Sequence, residues 1–298
     1  MGKGWKEWLL AGVIAWGIPW LTVGLMSVKM EEPPVETTVS RELIWVLDGE
    51  EQREMPLDDY LVGVLLGELP GDFHREAKQA QAVAARTYAL RTVAFGVKHP
   101  GFVCTSSGCC QSWADPDSFS EASVAQAREA VERTEGLVLT YDGKLIDATY
   151  FSCSGGRTED AVAVWGGDVP YLQSVESPGE EEATHYRDEV IFAESEFLKN
   201  LGLTGPVSIG NAAYTKGGGV DTMLICGKTF TGTQLRSLLG LRSTAITITL
   251  EPGQVRVTTQ GFGHRVGMSQ YGANAMAEAG HDFREILAHY YPGTQITS

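Results

Sequence analysis

One carboxylate of this chain lies where acid–base chemistry is feasible. Glu68 follows a short apolar helix that the pattern predicts over residues 59–66, and Pro70 stops the helix just beyond it. There the side chain can project into a cleft walled by Leu69 and Phe73. Partial loss of hydration raises the pKa of a carboxyl group, which suits a general acid. The same position also suits a surface or capping residue, so the pattern alone leaves both roles open.

A second chemical signature is a run of one histidine and three cysteines within 12 residues, His99-x4-Cys104-x4-Cys109-Cys110. Imidazole and thiolate are the ligands that zinc prefers. Four protein ligands would leave no position for water, so such a zinc would be structural, whereas three would reopen a catalytic role. The alternative is a disulfide from Cys104 to Cys109 or Cys110, with the other thiol free. The remaining cysteines lie in strand-like contexts and are expected in the core: Cys153 and Cys226.

The third signature is a glycine-rich segment over residues 261–272. It holds four glycines among His264, Arg265, Gln270 and Tyr271, a composition that suits backbone lying close to a ligand. The GxGxxxG spacing does not match a dinucleotide-binding fingerprint. The candidates for holding a ligand by hydrogen bonds are Ser152, Ser154, His264, Gln270 and Tyr271. A structural role, in a turn or at the start of a helix, is the alternative for each of them.

The elements that must position these residues do not alternate regularly, which indicates an α+β body rather than a doubly wound parallel sheet. Helices are predicted at residues 59–66, 75–97, 123–133, 194–201, 234–239, 270–279 and 283–290. Strands are predicted at residues 42–47, 137–141, 145–151, 245–250 and 255–259. Asp142-Gly143 is a strong two-residue turn signal and joins two of these strands into a hairpin.

The N-terminus predicts a membrane anchor. Residues 8–28 carry no ionisable side chain, and about 20 helical residues cross a hydrocarbon core. Lys3 and Lys6 precede this run, whereas Glu31 and Glu32 follow it, which favours a cytoplasmic N-terminus and an exported body. A cleaved signal peptide is the alternative, but no small-x-small site follows. We therefore predict a stub and transmembrane helix over 1–30, a linker over 31–42 and a catalytic body with a central cleft over 43–298.

The composition narrows the function classes. The chain has 298 residues and a formal net charge of −15. Binding of nucleic acid through bulk charge requires a basic footprint, so this class is excluded and no nucleic-acid partner is expected. An anionic substrate would have to be held by local contacts rather than by long-range attraction.

Three ordered motifs then give the sequence a family resemblance. They are GELPGDFHREAKQAQAVAARTYALR from Gly67, YFSCSGGRT from Tyr150, and FGHRVGMSQYGANAMAEAGHDFREILAHYYPGTQI from Phe262. Together they resemble the signatures of the stage II sporulation protein D family, and the resemblance runs from about residue 43 to residue 298.

The resemblance implies a peptidoglycan lytic transglycosylase that acts on glycan strands freed of stem peptides, with Glu68 as the essential acid. It implies two partners in engulfment during endospore formation: a membrane-bound cell-wall amidase/endopeptidase and a polytopic membrane scaffold. The body would then lie between the mother-cell and forespore membranes. The resemblance also implies zinc at His99, Cys104 and Cys110, with Cys109 where the family usually has histidine. Arg265 replaces a glycine of the family's Gly-His-Gly, and we expect it to contact a glycan carboxylate or to face solvent.

A single persuasive carboxylate fits this chemistry. Cleavage of a glycosidic bond passes through an oxocarbenium-like transition state, and a hydrolase generally needs two carboxylates. A lytic transglycosylase can use one, because the sugar's own 6-hydroxyl replaces water and gives a 1,6-anhydro product. Three rival functions remain: a non-catalytic wall-binding enhancer of an amidase, a zinc-dependent amidase or peptidase, and a purely structural membrane subunit. The absence of a His-Glu-x-x-His motif weighs against the second.

Overall fold

The computed structural model describes residues 42–96 and 98–298. In these residues helices are mixed with mostly antiparallel sheets, which confirms the predicted α+β class. The predicted membrane helix and nearly all of the linker lie outside the described residues. Within the described ranges, no helix combines the length and the apolar character that a membrane crossing requires.

The helices of the described ranges are α1 (Leu57–Glu68), α2 (Arg75–Phe95), α3 (Glu121–Arg133), α4 (Ala161–Trp165), α5 (Glu194–Leu201), α6 (Gly232–Leu238), α7 (Gln270–Glu278) and α8 (Phe283–Tyr290). The strands are β1 (Leu43–Asp48), β2 (Glu51–Pro56), β3 (Val103–Cys104), β4 (Val138–Tyr141), β5 (Lys144–Leu145), β6 (Tyr150–Phe151), β7 (Gly156–Arg157), β8 (Glu176–Ser177), β9 (Arg187–Ala193), β10 (Ile209–Tyr214), β11 (Val220–Ile225), β12 (Lys228–Thr231), β13 (Ala245–Glu251), β14 (Gln254–Gln260), β15 (Met268–Ser269) and β16 (Gln295–Thr297). The short sheets have the orders β2-β1-β3, β10-β11-β12, β13-β14-β9, β16-β4-β5, β15-β6 and β7-β8.

Helix α2 is the central element of the fold. Its alanine-rich sequence favours a helix, and the small side chains allow neighbours to approach it from several sides. His74 caps its N-terminus by accepting a hydrogen bond from the backbone of Glu76 at 3.3 Å. Gly96 ends it in the left-handed conformation, with φ of 59°. One face of α2 packs with α1, α3 and β3, and another packs with α7, α8 and β4, so two hydrophobic cores share this helix.

A third hydrophobic core lies in residues 187–260. Strands β9, β13 and β14 form one antiparallel sheet there, and β10, β11 and β12 form another. Helices α5 and α6 supply Phe197 and Leu235, both with no exposed surface, to the space between the sheets. This part of the chain therefore has its own apolar interior, and α6 lies at the edge of the cleft described below.

Two expectations need correction. The predicted strand over 145–151 is split: β5 ends at Leu145, and β6 pairs in parallel with β15 instead of continuing the hairpin. This pairing places the second and third sequence motifs side by side. Cys153 is buried as expected, but Cys226 lies half-buried in the turn between β11 and β12 with φ of 49°, so it is not a core strand residue.

Candidate active site

A cleft of about 770 Å³ opens beside α2. Its volume is in the range of roughly 300–1,000 Å³ that ligand sites occupy. The end of α1, strand β6, helix α6 and the loops around Cys110 and Gly263 form its walls. Of the predicted site residues, the cleft lining includes Glu68, Cys109, Cys110, Ser152, His264 and Gln270.

Glu68 is the last residue of α1, and two glycines of that helix determine what reaches it. A side chain at Gly63 would overlap the indole of Trp113, at 2.0 Å from its Nε1. A side chain at Gly67 would lie 3.0 Å from the backbone of Ser112. The residue 112–114 segment therefore lies directly on the helix, and the Ser112 N–H donates to Glu68 Oε1 at 2.6 Å. The other oxygen accepts from Gln270 Nε2 at 3.3 Å.

The electrostatic surroundings of Glu68 favour its protonated form. Burial raises the pKa of this carboxyl above its usual value, although hydrogen bonds from Ser112, Gln270 and Tyr150 partly oppose the rise. No cation forms an ion pair with Glu68 among the described residues. A half-buried acid that meets only neutral donors can hold a proton and give it up, which is the requirement for general acid–base catalysis.

A buried hydrogen-bond chain supports the Glu68 wall from behind. Tyr60 donates to Gln111 Oε1 at 3.1 Å, and Gln111 Nε2 donates to the Tyr150 hydroxyl at 2.9 Å. Gln111 also donates to the carbonyl of Ala85 in α2 at 3.3 Å. Burial raises the pKa of Tyr150, and the Glu68 carboxylate adds to this, so the phenol stays protonated beside the acid.

His99, Cys104, Cys109 and Cys110 converge as predicted. Each offers one donor atom, and these atoms all lie within 4.8 Å of one another. His99 Nε2 lies 3.2 Å from Cys109 Sγ. All of the cysteines are free thiols, so neither disulfide alternative is present. One imidazole and three thiols match the donor set and number of a structural zinc site.

The thiols of this cluster differ in acidity. Burial raises the pKa of Cys104, but the Ser106 backbone, His99 and the two neighbouring thiols more than offset it and bring the pKa to about 7. Burial raises the pKa of Cys110 to about 12, with further contributions from Cys104 and Cys109. Ligation of a metal deprotonates thiols. The Cys104 thiol, with its lowered pKa, loses its proton readily, whereas the Cys110 thiol, with its raised pKa, does not.

Comparisons with known proteins agree with the three motifs. Residues 49–141 match the family model described as Stage II sporulation protein. The chain is 37% identical over 281 residues to Stage II sporulation protein D of Bacillus amyloliquefaciens, covering 90% of this chain and 80% of that protein. It is 38% identical over 256 residues to the protein of the same name in Bacillus subtilis (strain 168), covering 82% and 75%. The chain belongs to the stage II sporulation protein D family.

A more distant relative carries a different name. The Amidase enhancer of Bacillus subtilis (strain 168) is 29% identical over 297 residues, covering 80% of this chain and 40% of that protein. This chain is therefore also similar to a protein named for an effect on an amidase.

The structure corrects the expectation for Arg265. It adopts φ of 68°, the left-handed region that a glycine at this position would enter freely, yet it neither faces solvent nor lines the cleft. Only 2% of its surface is exposed, and its guanidinium pairs with the buried Glu159 at 3.1 Å. It also donates to the carbonyls of Ser154, Arg157 and Gly217. In this member of the stage II sporulation protein D family, Arg265 therefore stabilises the glycine-rich segment through buried contacts.

The five predicted substrate contacts do not all lie in the cleft. Ser152 and His264 line it, and Gln270 holds Glu68. Ser154 is fully buried, and its hydroxyl donates to Glu180 at 2.9 Å. Tyr271 packs edge-on against the ring of Phe73, with centroids 5.0 Å apart. Ser152, His264 and Gln270 therefore lie in the cleft lining, whereas Ser154 and Tyr271 do not.

His264 lies between two aromatic rings of the cleft wall. Its ring centroid is 5.5 Å from that of Phe151 and 5.2 Å from that of Trp165. Burial, together with the charge of Arg236, lowers the pKa of this imidazole to about 4. His264 is therefore neutral at ordinary pH and can take part in hydrogen bonds without adding charge to the cleft.

Sequence reasoning missed Ser112, Gln111, Tyr150 and Arg236. Ser112 acts through its backbone N–H, which any residue provides, so its type gives no signal. The signal for its neighbourhood was the Gly63-x3-Gly67 spacing on α1, which indicates close approach of another segment. Gln111 and Tyr150 are uncharged residues whose contacts lie far along the chain, and only the fold brings them to Glu68.

Proposed function

We propose that this protein is a peptidoglycan lytic transglycosylase of sporulation engulfment. Its substrate would be the MurNAc–GlcNAc bond of glycan strands freed of stem peptides, and Glu68 would be its general acid and base. The observation that carries the proposal is the setting of Glu68: a half-buried carboxyl with a raised pKa, neutral donors and access to a cleft. Membership of the stage II sporulation protein D family supports the same assignment.

In the proposed reaction the protonated Glu68 gives its proton to the glycosidic oxygen as the bond to the anomeric carbon breaks. Positive charge then develops on the ring in an oxocarbenium-like transition state. The resulting Glu68 carboxylate takes the proton of the sugar's 6-hydroxyl, whose oxygen closes on the anomeric carbon. The product is a 1,6-anhydro sugar, and no water is consumed. The Ser112 N–H and Gln270 stabilise the carboxylate between these two steps.

Among the described residues the cleft contains one other carboxylate, which makes hydrolysis the competing reaction. Asp147 lines the cleft and faces the Arg91 guanidinium at 3.8 Å. This contact turns the Asp147 carboxylate toward Arg91 rather than toward Glu68. This favours a reaction that uses Glu68 alone, and a substitution at Asp147 tests the alternative directly.

We also propose that His99, Cys104, Cys109 and Cys110 hold a structural zinc ion. When bound, the zinc would fix the loop by four bonds and offer no position for water. Cys110 is two residues before Ser112, so the loop that the cluster fixes also carries the N–H donor to Glu68. Metal content measured by mass spectrometry of the native protein should give one zinc per chain, and Cys110→Ser should lose it while the matched Cys226→Ser keeps it.

The proposal includes a location and partners. The chain would be anchored by residues 1–30, with its body outside the cytoplasm between the mother-cell and forespore membranes. It would act with a membrane-bound cell-wall amidase/endopeptidase, which removes stem peptides first, and with a polytopic membrane scaffold. Crosslinking in sporulating cells, followed by identification of the captured membrane proteins, tests these partners.

A second candidate function is a glycan-binding enhancer of an amidase, without chemistry of its own. The similarity to the Amidase enhancer of Bacillus subtilis is the observation that favours it. In this case the cleft would hold glycan and Glu68 would act only through hydrogen bonds. The two functions differ in whether glycan strands are shortened by the purified chain.

The deciding experiment incubates the full chain with glycan strands freed of stem peptides and identifies the products by mass spectrometry. Glu68→Gln and Asp147→Asn are compared with the parent. We expect anhydro-ended fragments from the parent and from Asp147→Asn. We expect a loss of about 10²- to 10⁴-fold in rate for Glu68→Gln, the usual contribution of a general acid.

Each other outcome has a distinct meaning. Fragments with a reducing end that disappear in Asp147→Asn would identify a hydrolase with two carboxylates. Binding without cleavage by the parent would favour the enhancer function. Release of stem peptides would indicate an amidase or peptidase and would overturn the proposal.

A further inference from the structure

Arg236 lines the wall of the cleft and has no ion-pair partner among the described residues. It lies on α6, whose N-terminus is fixed by a capping box between Thr231 and Gln234. The side chain lines the cleft and is half-buried. Burial alone accounts for the lowered pKa of Arg236, because no acceptor or anion among the described residues offsets it.

The other cations of the cleft are already engaged. Arg91 faces Asp147, and Lys98 donates to the carbonyl of Cys109. Partial loss of hydration without a partner is unfavourable for a guanidinium. Binding of an anion next to it is therefore favourable. The chain has a net charge of −15, so long-range attraction would not bring an anion to the cleft. An anion in the cleft would have to be held by a local contact with a cation such as Arg236.

An aromatic side chain lies in the same wall. Trp165 ends α4 with 49% of its surface exposed, and its ring lies 5.2 Å from that of His264. The charge of Arg236 acts on the same imidazole, and Arg236, Trp165 and His264 all line the cleft. A half-exposed indole offers an apolar face to the C–H groups of a sugar ring, and its N–H can remain hydrated.

We propose that Arg236 and Trp165 form a subsite for a pyranose that carries a free carboxylate. The planar fork of arginine matches the two oxygens of a carboxylate, and the indole packs against the ring. The inference rests on the proposed function, which supplies a sugar polymer of this kind. In peptidoglycan the anionic sugar is MurNAc with its lactyl carboxylate free, whereas attachment of a stem peptide converts that carboxylate into a neutral and bulky amide. Arg236 would therefore select strands from which the peptide has been removed.

The test measures binding by the full chain carrying Glu68→Gln, which prevents cleavage during titration. Three probes are used: strands with free lactyl carboxylates, the same strands with these groups converted to methylamides, and a GlcNAc hexamer. We expect strands with free carboxylates to bind about 10- to 100-fold more tightly than the methylamides, as for a hydrogen-bonded charge. Arg236→Gln should remove this preference and leave the affinity for methylamides unchanged, and Arg236→Lys should keep part of it.

Two further variants separate the subsite from general effects. Arg256→Gln removes the same charge from the same part of the chain, at a surface ion pair outside the cleft, and should leave the preference intact. Trp165→Ala should weaken all three probes by about 3- to 10-fold, since the ring face is common to them. Thermal unfolding of each variant shows whether it is folded.

The outcomes distinguish this inference from the proposed function. If Arg236→Gln lowers affinity for carboxylate and methylamide strands equally, or if Arg256→Gln gives the same loss, the subsite is wrong. If strands bind without any preference for the carboxylate, the subsite is wrong while glycan binding stands. If none of the three probes binds the chain, the proposed function itself fails.

Discussion

Glu68 and Glu159 are two carboxylates withdrawn from water in very different ways. Glu68 receives a backbone N–H, a side-chain amide and the Tyr150 hydroxyl, has no cation beside it among the described residues and opens to the cleft. Glu159 is 1% exposed and receives the Arg265 guanidinium, the Gly219 N–H and the Thr215 hydroxyl. The first arrangement leaves a proton free to move, whereas the second holds the carboxyl group in place by contacts with three other residues. The difference separates a group suited to chemistry from one that holds the fold.

The largest expected effect comes from breaking the buried pair. Glu159→Leu leaves Arg265 as an uncompensated charge in the interior, and we expect a loss of about 3–5 kcal/mol in the free energy of unfolding. Urea denaturation of the full chain measures it. The matched control is Glu68→Gln, which should be as stable as the parent or more so at neutral pH. Similar losses in both variants would show that the two carboxylates do not differ as described.

The raised pKa of Glu68 explains why Glu68→Gln should be at least as stable as the parent. Because the pKa of Glu68 is raised on folding, its charged form destabilises the native state above that pKa, and the effect disappears as pH falls through it. Glutamine removes the charge at every pH. The stability difference between parent and Glu68→Gln should therefore shrink on acidification.

The second prediction concerns coupling within the buried pair. Arg265→Gly relieves a left-handed φ of 68° but removes four hydrogen-bonded contacts, so it should destabilise when made alone. Combined with Glu159→Leu, the two losses should fall short of additivity by about 1–3 kcal/mol. The four proteins of this cycle are compared by urea denaturation. Strict additivity would mean that the pair does not act as a unit.

The third prediction concerns the pH dependence of the cleavage rate, which should follow the pKa of Glu68. Cleavage requires the protonated acid, so the rate should fall as pH rises through the raised pKa of Glu68. Gln270→Ala removes a donor that stabilises the carboxylate, which should raise this pKa further and move the alkaline limb of the rate profile upward. Rates across a pH series for both proteins check the direction. A limb that moves downward, or an unchanged limb with a lower rate throughout, would contradict it.

The smallest expected effect concerns the helix beneath the acid. Gly67→Ala adds a methyl 3.0 Å from the Ser112 backbone and gains helix propensity, so its net effect on stability should stay within about 1 kcal/mol. The shifted Ser112 N–H should nevertheless reduce the cleavage rate. The exposed Gly71→Ala, which meets no atom within 4 Å, is the control for the added methyl. An unaffected rate in Gly67→Ala would show that this donor is dispensable.

The sequence predicted the helices better than the strands. The bounds 194–201 and 283–290 match α5 and α8, because helical spacing and terminal signals at Gly202 and Asp282 are local. Strand β2 was missed because its pattern is almost entirely polar and exposed: it is an edge strand. Strands β9, β10 and β11 were also missed, since pairing with distant segments decides them.

The candidate site was predicted in part for the same reason. The cysteine–histidine cluster lies within 12 residues, so local spacing was enough to find it. Arg265 was misplaced because a charged residue in a glycine-rich run suggests a surface loop, and its partner Glu159 is 106 positions away. Glu68 was found as a candidate, but its donors could not be predicted, because one is a backbone group and the others depend on tertiary structure.

The distance along the chain between Glu68 and Gln270 has a consequence for the order of folding. The two residues are 202 positions apart, and in the folded chain the pairing of β6 with β15 lies directly before the segment that carries Gln270. Contacts of such long range close late, because the intervening chain has to be ordered first. The α1–α2–α3 core can be assembled while Glu68 still lacks its second donor. Glu68 thus has all of its hydrogen-bond donors only when folding is complete. A partly folded chain would have the cleft residues but not the arrangement that gives them their chemistry.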